Sequence, residues 1–178
     1  MDDQANPNLF VRSSGKEIWQ RIATKTHPLE GALVTGSPGI GKSRSLTYLL
    51  KLLLENRQTV IFECRKTEKV FLFTVGQDGQ YVVQSKTMKD VPWMEDIDSI
   101  RCDMNNWQLV DPGDHARGPV QAGARLVLAA GPNRKHYHEF VKGNGTLSYY
   151  MTPWSMDELQ AVALYMNVQT ESDDMRPL

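Results

Sequence analysis

The stretch VTGSPGIGKSRSL, residues 34–46, places three glycines, a proline, a lysine and three serines between an apolar run and a leucine-rich run. Residues 36–43 match the pattern G-x-x-x-x-G-K-[ST] at every fixed position. Because glycines carry no side chains, backbone N–H groups in such a loop can approach phosphate oxygens closely. ALVT (32–35) predicts a buried strand before the loop, and the run Lys42–Glu55 predicts a buried helix after it. The order strand, glycine loop, helix N-terminus therefore predicts a phosphate-binding loop.

The two residues that end the loop have separate predicted roles. Lys42 is expected to reach the β- and γ-phosphates of a nucleotide, and the Ser43 hydroxyl to ligate Mg²⁺. The alternative is a chance glycine turn at the start of a helix. The predicted nucleotide-binding set is Gly36, Ser37, Pro38, Gly39, Ile40, Gly41, Lys42, Ser43 and Arg44.

A candidate metal-binding acid stands at the end of a second apolar run, WQLVD (107–111). A phosphate-bound Mg²⁺ needs a carboxylate near its water shell, and in P-loop enzymes that acid ends an apolar strand. Asp111 fits this description; the alternative is that it only caps the turn before Pro112. The predicted metal-binding residues are accordingly Ser43 and Asp111.

Hydrolysis also needs a group that positions water. A glutamate directly after the acid would serve, but Pro112 stands there, so Asp114 and His115 are the nearest candidates. Each has the alternative of being a solvated loop residue. Arg117 is a candidate arginine finger across a subunit interface, against the alternative of an exposed loop arginine.

A third apolar run, RLVLAAG (125–131), predicts another buried strand, and two polar residues follow it. Asn133 and Arg134 are candidate sensors of the γ-phosphate; the alternative is a charged helix start. The predicted catalytic set is Lys42, Asp111, Asp114, Asn133 and Arg134.

The remaining patterns predict an α/β fold, a three-layer sandwich with a mostly parallel central sheet and a β-hairpin extension. Apolar spacing predicts a helix over about 15–26, and glycines between two β-rich runs predict the hairpin 69–85. Two capping boxes are predicted, Ser14 with Glu17 and Ser155 with Glu158. We expect a domain at 10–167 between flexible ends at 1–9 and 168–178.

The composition and net charge of the chain exclude several classes of protein. The chain has 178 residues, a net charge of -1 and two cysteines, and it lacks an apolar run of membrane-spanning length. We expect a soluble intracellular protein, cytoplasmic or nuclear, without a disulfide framework. Cys64 and Cys102 are expected to be small buried residues. The near-neutral charge argues against nucleic acid as a partner.

Several segments together resemble a known family. LFVRSSGKEIWQRI, SPGIGKS and YYMTPWSMDELQAV, within residues 9–166, are similar to the P-loop NTPase domain of the Crinkler and retrotransposon-hot-spot group of effector-type proteins. The resemblance implies a P-loop ATPase sheet with a strand inserted between the loop strand and the acid strand. It also implies phosphate binding by Gly36, Gly41, Lys42 and Ser43, and metal binding by Asp111.

The resemblance further implies secretion into a host cell and action in its nucleus, and it keeps nucleic acid open as a partner. From the sequence we expect no leader motif at the N-terminus and no appended C-terminal effector domain. We therefore expect a solitary ATPase domain, a fragment or a reduced paralogue.

The patterns predict an ATP-binding P-loop NTPase with slow Mg²⁺-dependent hydrolysis. ATP over GTP follows from the resemblance and from the lack of an NKxD pattern. Three alternatives remain open: a nucleotide-gated interaction module with negligible turnover, a nucleoside or small-molecule kinase, and a nucleic-acid-binding effector. Protein partners and a homo-oligomer also remain open.

Overall fold

A mixed sheet of seven strands forms the centre of the computed structural model, which describes residues 10–24, 31–91, 96–113, 122–143 and 145–165. The strands, in chain order, are β1 Ala32–Thr35, β2 Val60–Cys64, β3 Lys69–Val75, β4 Tyr81–Thr87, β5 Trp107–Asp111, β6 Arg125–Ala129 and β7 Leu147–Tyr150. The α-helices are α1 Ser13–Ala23, α2 Lys42–Glu55, α3 Ile97–Cys102, α4 His138–Gly143 and α5 Met156–Tyr165. The predicted flexible ends, 1–9 and 168–178, lie outside the described residues.

The strand order across the sheet is β4-β3-β2-β5-β6-β1-β7. The five strands β2, β5, β6, β1 and β7 are each parallel to their neighbours among this group. β3 is antiparallel to both β2 and β4. This confirms the mostly parallel sheet and its hairpin extension. β6 lies between β1, which leads into the glycine loop, and β5, which ends at Asp111, so one strand separates the loop strand from the acid strand.

Helices cover both faces of the sheet because successive side chains of a strand point to opposite faces, and both faces carry apolar residues. On one face α1 and α2 pack against β1, β5 and β6, and the buried side chains include Trp19, Leu49, Val34, Leu109 and Val127. On the other face α4 covers β1, β5 and β6, and α3 covers β2 and β3; the buried side chains include Leu33, Leu128, Phe140, Ile61 and Ile97. The architecture is an α/β sandwich, as predicted.

The helix after the glycine loop has the predicted bounds, Lys42–Glu55. Leu46, Leu49 and Leu53 are buried on its sheet-facing side at the spacing of successive helical turns. The hairpin is also confirmed, although β4 continues to Thr87 instead of ending at residue 85. α3 lies in a segment for which the sequence pattern predicts no element.

The first predicted capping box is wrong. α1 begins at Ser13 and ends at Ala23, and its N-cap is Arg12, whose carbonyl accepts the Lys16 amide at 2.9 Å. Ser14 therefore lies inside the helix, and its hydroxyl is buried without a hydrogen-bond partner. Glu17 instead pairs with Arg21 at 2.6 Å on the exposed face.

The second capping box is confirmed. The Ser155 amide donates to Glu158 Oε2 at 3.1 Å, and the Glu158 amide donates to Ser155 Oγ at 3.2 Å. These reciprocal bonds satisfy two amides at the start of α5 that have no partner within the helix.

The expectation that both cysteines are buried is wrong for Cys102, which is exposed, while Cys64 is half-buried. Cys102 ends the short helix α3, whose buried residue is Ile97 at its other end. Among the helices that the structure describes, none is long and apolar enough to cross a bilayer.

Candidate functional site

The glycine loop lies at the sheet edge where the parallel strands end. Gly36 directly follows β1, and Asp111 is the last residue of β5. The Ala130 amide, which follows β6, donates to Val34 O of β1 at 3.0 Å. Ligands of open α/β sheets bind in the crevice outside these carboxyl ends, where the strand-to-helix connections meet.

At Gly36 a side chain would clash with its surroundings, and at Gly41 it would strain the backbone. A Cβ added to Gly36 would lie 2.6 Å from the Met151 carbonyl oxygen and 2.6 Å from Ile40 Cδ1. Gly41 is the N-cap of α2 and has a φ of +92°, in the left-handed region. Since glycine has no side chain with which to satisfy the first amides of α2, a ligand or water must do so.

The loop is anchored from below by Ile40, which is 5% exposed and packs into the α1–α2 core. The members of the predicted nucleotide-binding set that are exposed are Ser37, Pro38, Gly39, Ser43 and Arg44. The anchored loop thus exposes Ser37, Pro38 and Gly39 at the carboxyl ends of the strands.

Lys42 is held inside the loop. Its side chain is largely buried, with 8% of the residue exposed, and Nζ donates to Gly36 O at 2.8 Å and to Ser37 O at 2.7 Å. Burial lowers the pKa of this ammonium from its ordinary value. A partly desolvated ammonium at the mouth of a glycine loop interacts strongly with an anion that reaches it.

Ser43 and Asp111 are brought together by the fold. Ser43 Oγ donates to Asp111 Oδ1 at 3.0 Å, although 68 residues separate them in the chain. Asp111 alternates in step with Leu109, which faces the α1–α2 layer, so its carboxylate reaches the first turn of α2. A hydroxyl and a carboxylate oxygen are hard donors of the kind that Mg²⁺ prefers.

Two further members of the predicted catalytic set lie after the strand beside β5. Asn133 and Arg134 follow β6 and are exposed. Asn133 Oδ1 accepts the Lys135 amide at 3.2 Å and thereby caps the 3₁₀ turn that Arg134 begins. A role in sensing γ-phosphate stays a prediction. Asp114 lies outside the described residues, as do His115 and Arg117.

Sequence reasoning did not find the part played by Arg12. This residue is 4% exposed, and its guanidinium donates at 2.7 Å to each of three acceptors: Thr152 O, Pro153 O and Glu158 Oε2. The guanidinium also lies 4.6 Å from the ring centroid of Trp154. We call residues 151–155, between β7 and α5, the strap.

Aromatic contacts reinforce the same junction. The ring of Phe10 stacks on Trp154 at 6.1 Å and lies 5.7 Å from Tyr165. The segments FVR and PWS, which carry much of the family resemblance, are therefore in contact. In the sequence, the resemblance of both segments to the family was the available sign of this contact, because no local spacing connects residues 140 positions apart.

Glu158 makes the Arg12 contact sensitive to acid. The hydrogen bond from Arg12 lowers the pKa of this carboxyl below its ordinary value. The lowered pKa stabilises the fold fully above the unfolded-state pKa of glutamate, about 4.3, and this stabilisation is lost as the pH falls through the folded-state pKa. We expect Glu158→Gln to unfold at a lower temperature than wild type at pH 7, with the difference shrinking below pH 4. Thermal unfolding followed by circular dichroism across pH 3–7 measures this, and a constant difference would contradict it.

Comparisons with known proteins give one consistent likeness. No protein-family model matches the chain. Crinkler effector proteins 15 and 16 of Phytophthora infestans are each 29% identical to it over 161 residues. These alignments cover 87% of this chain and 24% of each relative, so the chain spans about a quarter of their length. The resemblance to Crinkler effectors is thereby supported.

Proposed function

We propose that this protein is an ATP-binding P-loop NTPase that hydrolyses ATP slowly with Mg²⁺. The observation that carries the proposal is the 3.0 Å hydrogen bond from Ser43 Oγ to Asp111 Oδ1. The serine belongs to the glycine-loop pattern and the aspartate ends a separate strand. A chance glycine turn would give no reason for a strand-ending carboxylate to meet its hydroxyl.

Three further features support nucleotide binding. The first amides of α2 have no capping side chain because Gly41 occupies the N-cap. The Lys42 ammonium is held by two loop carbonyls, from which it can turn to phosphate oxygens of higher charge. The strand β6 between β1 and β5 agrees with the inserted strand that the family resemblance implies.

In the proposed mechanism the loop amides and Lys42 bind the β- and γ-phosphates and stabilise charge that develops on them. Ser43 and Asp111 would hold Mg²⁺, which neutralises charge on the phosphate oxygens when bound. Water attacks the γ-phosphorus in line, the bond to the bridging oxygen breaks, and ADP and phosphate leave. Pro112 stands where a glutamate would activate that water, so we expect turnover to be slow.

The metal contact gives a direct test through Asp111→Asn. Calorimetric titration of wild type should show tighter binding of ATP with Mg²⁺ than with EDTA. In the variant we expect this difference to fall by about tenfold, because a charge-assisted contact of about 1.5–3 kcal/mol is lost. Binding in EDTA should stay close to that of wild type.

Asp98→Asn is the matched control, since Asp98 is an exposed carboxylate in the first turn of α3. It should preserve the full Mg²⁺ effect. An Asp111→Asn protein with an unchanged Mg²⁺ effect would remove Asp111 from the proposed site.

A second candidate function is a nucleotide-gated interaction module with negligible turnover. Pro112 after the acid favours it, as does the close packing of Gly113, where an added Cβ would lie 3.2 Å from Lys66 N. A conformational change caused by nucleotide at Asp111 would then reach the turn after β2, where Lys66 lies against Gly113. Steady-state phosphate release separates the two functions: the module predicts wild-type release equal to that of Lys42→Ala while wild type still binds ATP.

Similarity to two proteins named as Crinkler effectors supports an effector-type role for this NTPase. We include action inside a host cell in the proposal. The titrations above test whether the protein binds nucleotide, and they do not test where it acts.

A further inference from the structure

We propose that Arg12 is a positioning residue for the glycine loop. Its guanidinium fixes the strap, residues 151–155, and the strap in turn supports the first glycine of the loop and the first turn of α2. The nucleotide readout of this inference rests on the proposed function; the structural readout does not.

The first step is the fixation of the strap by Arg12. Thr152 O and Pro153 O each accept a guanidinium N–H at 2.7 Å, and the guanidinium lies against the Trp154 ring. A planar guanidinium offers several donors in a rigid fork, so it can hold two carbonyls and a carboxylate at once. Lysine at this position would present one ammonium on a flexible stem and could not reproduce the arrangement.

The second step is the contact of the strap with the loop. Met151 immediately precedes Thr152; its amide donates to Thr35 O at 2.8 Å and it is 3% exposed. Its carbonyl oxygen occupies the space in which a Gly36 side chain would begin, 2.6 Å from an added Cβ. Its Sδ lies 3.7 Å from Ser45 Oγ in the first turn of α2.

The third step connects the loop to Lys42. Gly36 O, on the residue that packs against Met151, accepts the Lys42 ammonium at 2.8 Å. Ser45 Oγ, which contacts Met151 from the other side, donates to Lys42 O at 2.9 Å. Displacement of Met151 would therefore disturb two of the contacts of Lys42, those with Gly36 O and Ser45 Oγ.

The ion pair with Glu158 has a different consequence. Glu158 also accepts the Ser155 amide, so its carboxylate belongs to the cap of α5. Glu158→Gln should loosen the start of α5 while leaving the two carbonyl contacts of Arg12 in place. Arg12→Lys should keep the positive charge while losing the carbonyl contacts.

Hydrogen exchange of the nucleotide-free protein separates these effects. In Arg12→Lys we expect two bonded amides beside the loop, that of Ser45 on Gly41 O and that of Met151 on Thr35 O, to exchange about tenfold faster than in wild type, because charge-assisted bonds that limit local opening are lost. In Glu158→Gln only the first turn of α5 should accelerate. The amides of β3 and β4 are the internal reference for global stability, and acceleration elsewhere is measured relative to theirs. Arg12→Gln, which keeps an amide donor without charge, is a second variant should Arg12→Lys fold poorly.

Unchanged exchange of the Ser45 and Met151 amides in a folded Arg12 variant would overturn the inference. Equal acceleration in β3 and β4 would also overturn it, since Arg12 would then act on global stability. Acceleration of the Ser45 and Met151 amides in Glu158→Gln equal to that in Arg12→Lys would assign the effect to the ion pair and overturn the inference as well.

ATP titration with Mg²⁺ supplies the second arm. Arg12→Lys should bind about tenfold more weakly than wild type, and Glu158→Gln within about twofold. If wild type binds no ATP, the proposed function fails while the exchange result still decides the positioning role. If wild type binds and Arg12→Lys binds equally well, the positioning role fails while the proposed function stands.

Discussion

Lys42→Ala is expected to weaken ATP binding by about a hundredfold or more. In the nucleotide-free protein the ammonium already makes two hydrogen bonds within the loop, at 2.8 and 2.7 Å. Transfer of those bonds to phosphate oxygens gives charge-assisted contacts worth about 1.5–3 kcal/mol each, and the loss of both corresponds to a factor of at least about a hundred in Kd. Calorimetric titration with ATP and Mg²⁺ measures the change directly.

Lys51→Ala is the matched control for this variant. Lys51 lies on the same helix, α2, but its side chain is exposed and pairs with Glu55 at 2.8 Å. Removal of that exposed ion pair should alter stability by less than about 1 kcal/mol and leave ATP affinity within twofold of wild type. Equal affinities of wild type and Lys42→Ala, both folded, would exclude the phosphate-binding role of the loop.

The same lysine predicts a pH dependence of binding. Because burial lowers the pKa of Lys42, the free protein loses this proton below the ordinary pKa of lysine, about 10.4. ATP is expected to bind the protonated form, so affinity should fall as the pH rises toward the ordinary pKa of lysine. Lys42→Ala should lack this fall. A wild-type affinity independent of pH over that range would show that the Lys42 charge does not contribute to binding.

Leu49→Ala is expected to destabilise the fold by about 3 kcal/mol, within the usual range of about 2–5 kcal/mol for a buried leucine. Leu49 is fully buried between α2 and the sheet, in the cluster that also contains Trp19 and Val34. Truncation would remove apolar contacts and leave a cavity that the surrounding strands cannot close. Chemical denaturation at equilibrium measures the free energy of unfolding.

Leu164→Ala on α5 provides the comparison, because Leu164 is 79% exposed. The same change of residue should then cost at most about 0.5 kcal/mol. Similar losses in the two variants would mean that α2 is not packed on the sheet as described.

Short-range patterns were sufficient for the elements around the candidate site. The leucines of α2 recur at helical spacing, and the glycine pattern ends where that helix begins, so both bounds of α2 could be predicted. The capping box of Ser155 and Glu158 depends on bonds between residues three apart, and it is present. The pairing of Ser43 with Asp111 followed from parallel strands that end at one edge.

The wrong prediction at the start of α1 depends instead on contacts between residues far apart in the chain. Ser14 has the spacing of a cap, yet α1 starts at Ser13 with Arg12 as its N-cap. Arg12 is held there by carbonyls of the strap, 140 residues away in the chain. Local preference for a serine cap was overridden by a buried guanidinium with distant partners.

Periodicity, glycine placement and capping are properties of neighbouring residues, because helical turns and strand alternation repeat within a few positions. They were enough to predict the α/β class, the glycine loop and the acid that ends β5. The order β4-β3-β2-β5-β6-β1-β7, the junction of Arg12 with the strap and the support of Gly36 by Met151 arise between segments far apart in the chain. Such contacts depend on which strands become neighbours, and the burial that selects those neighbours is a property of the whole packed sheet.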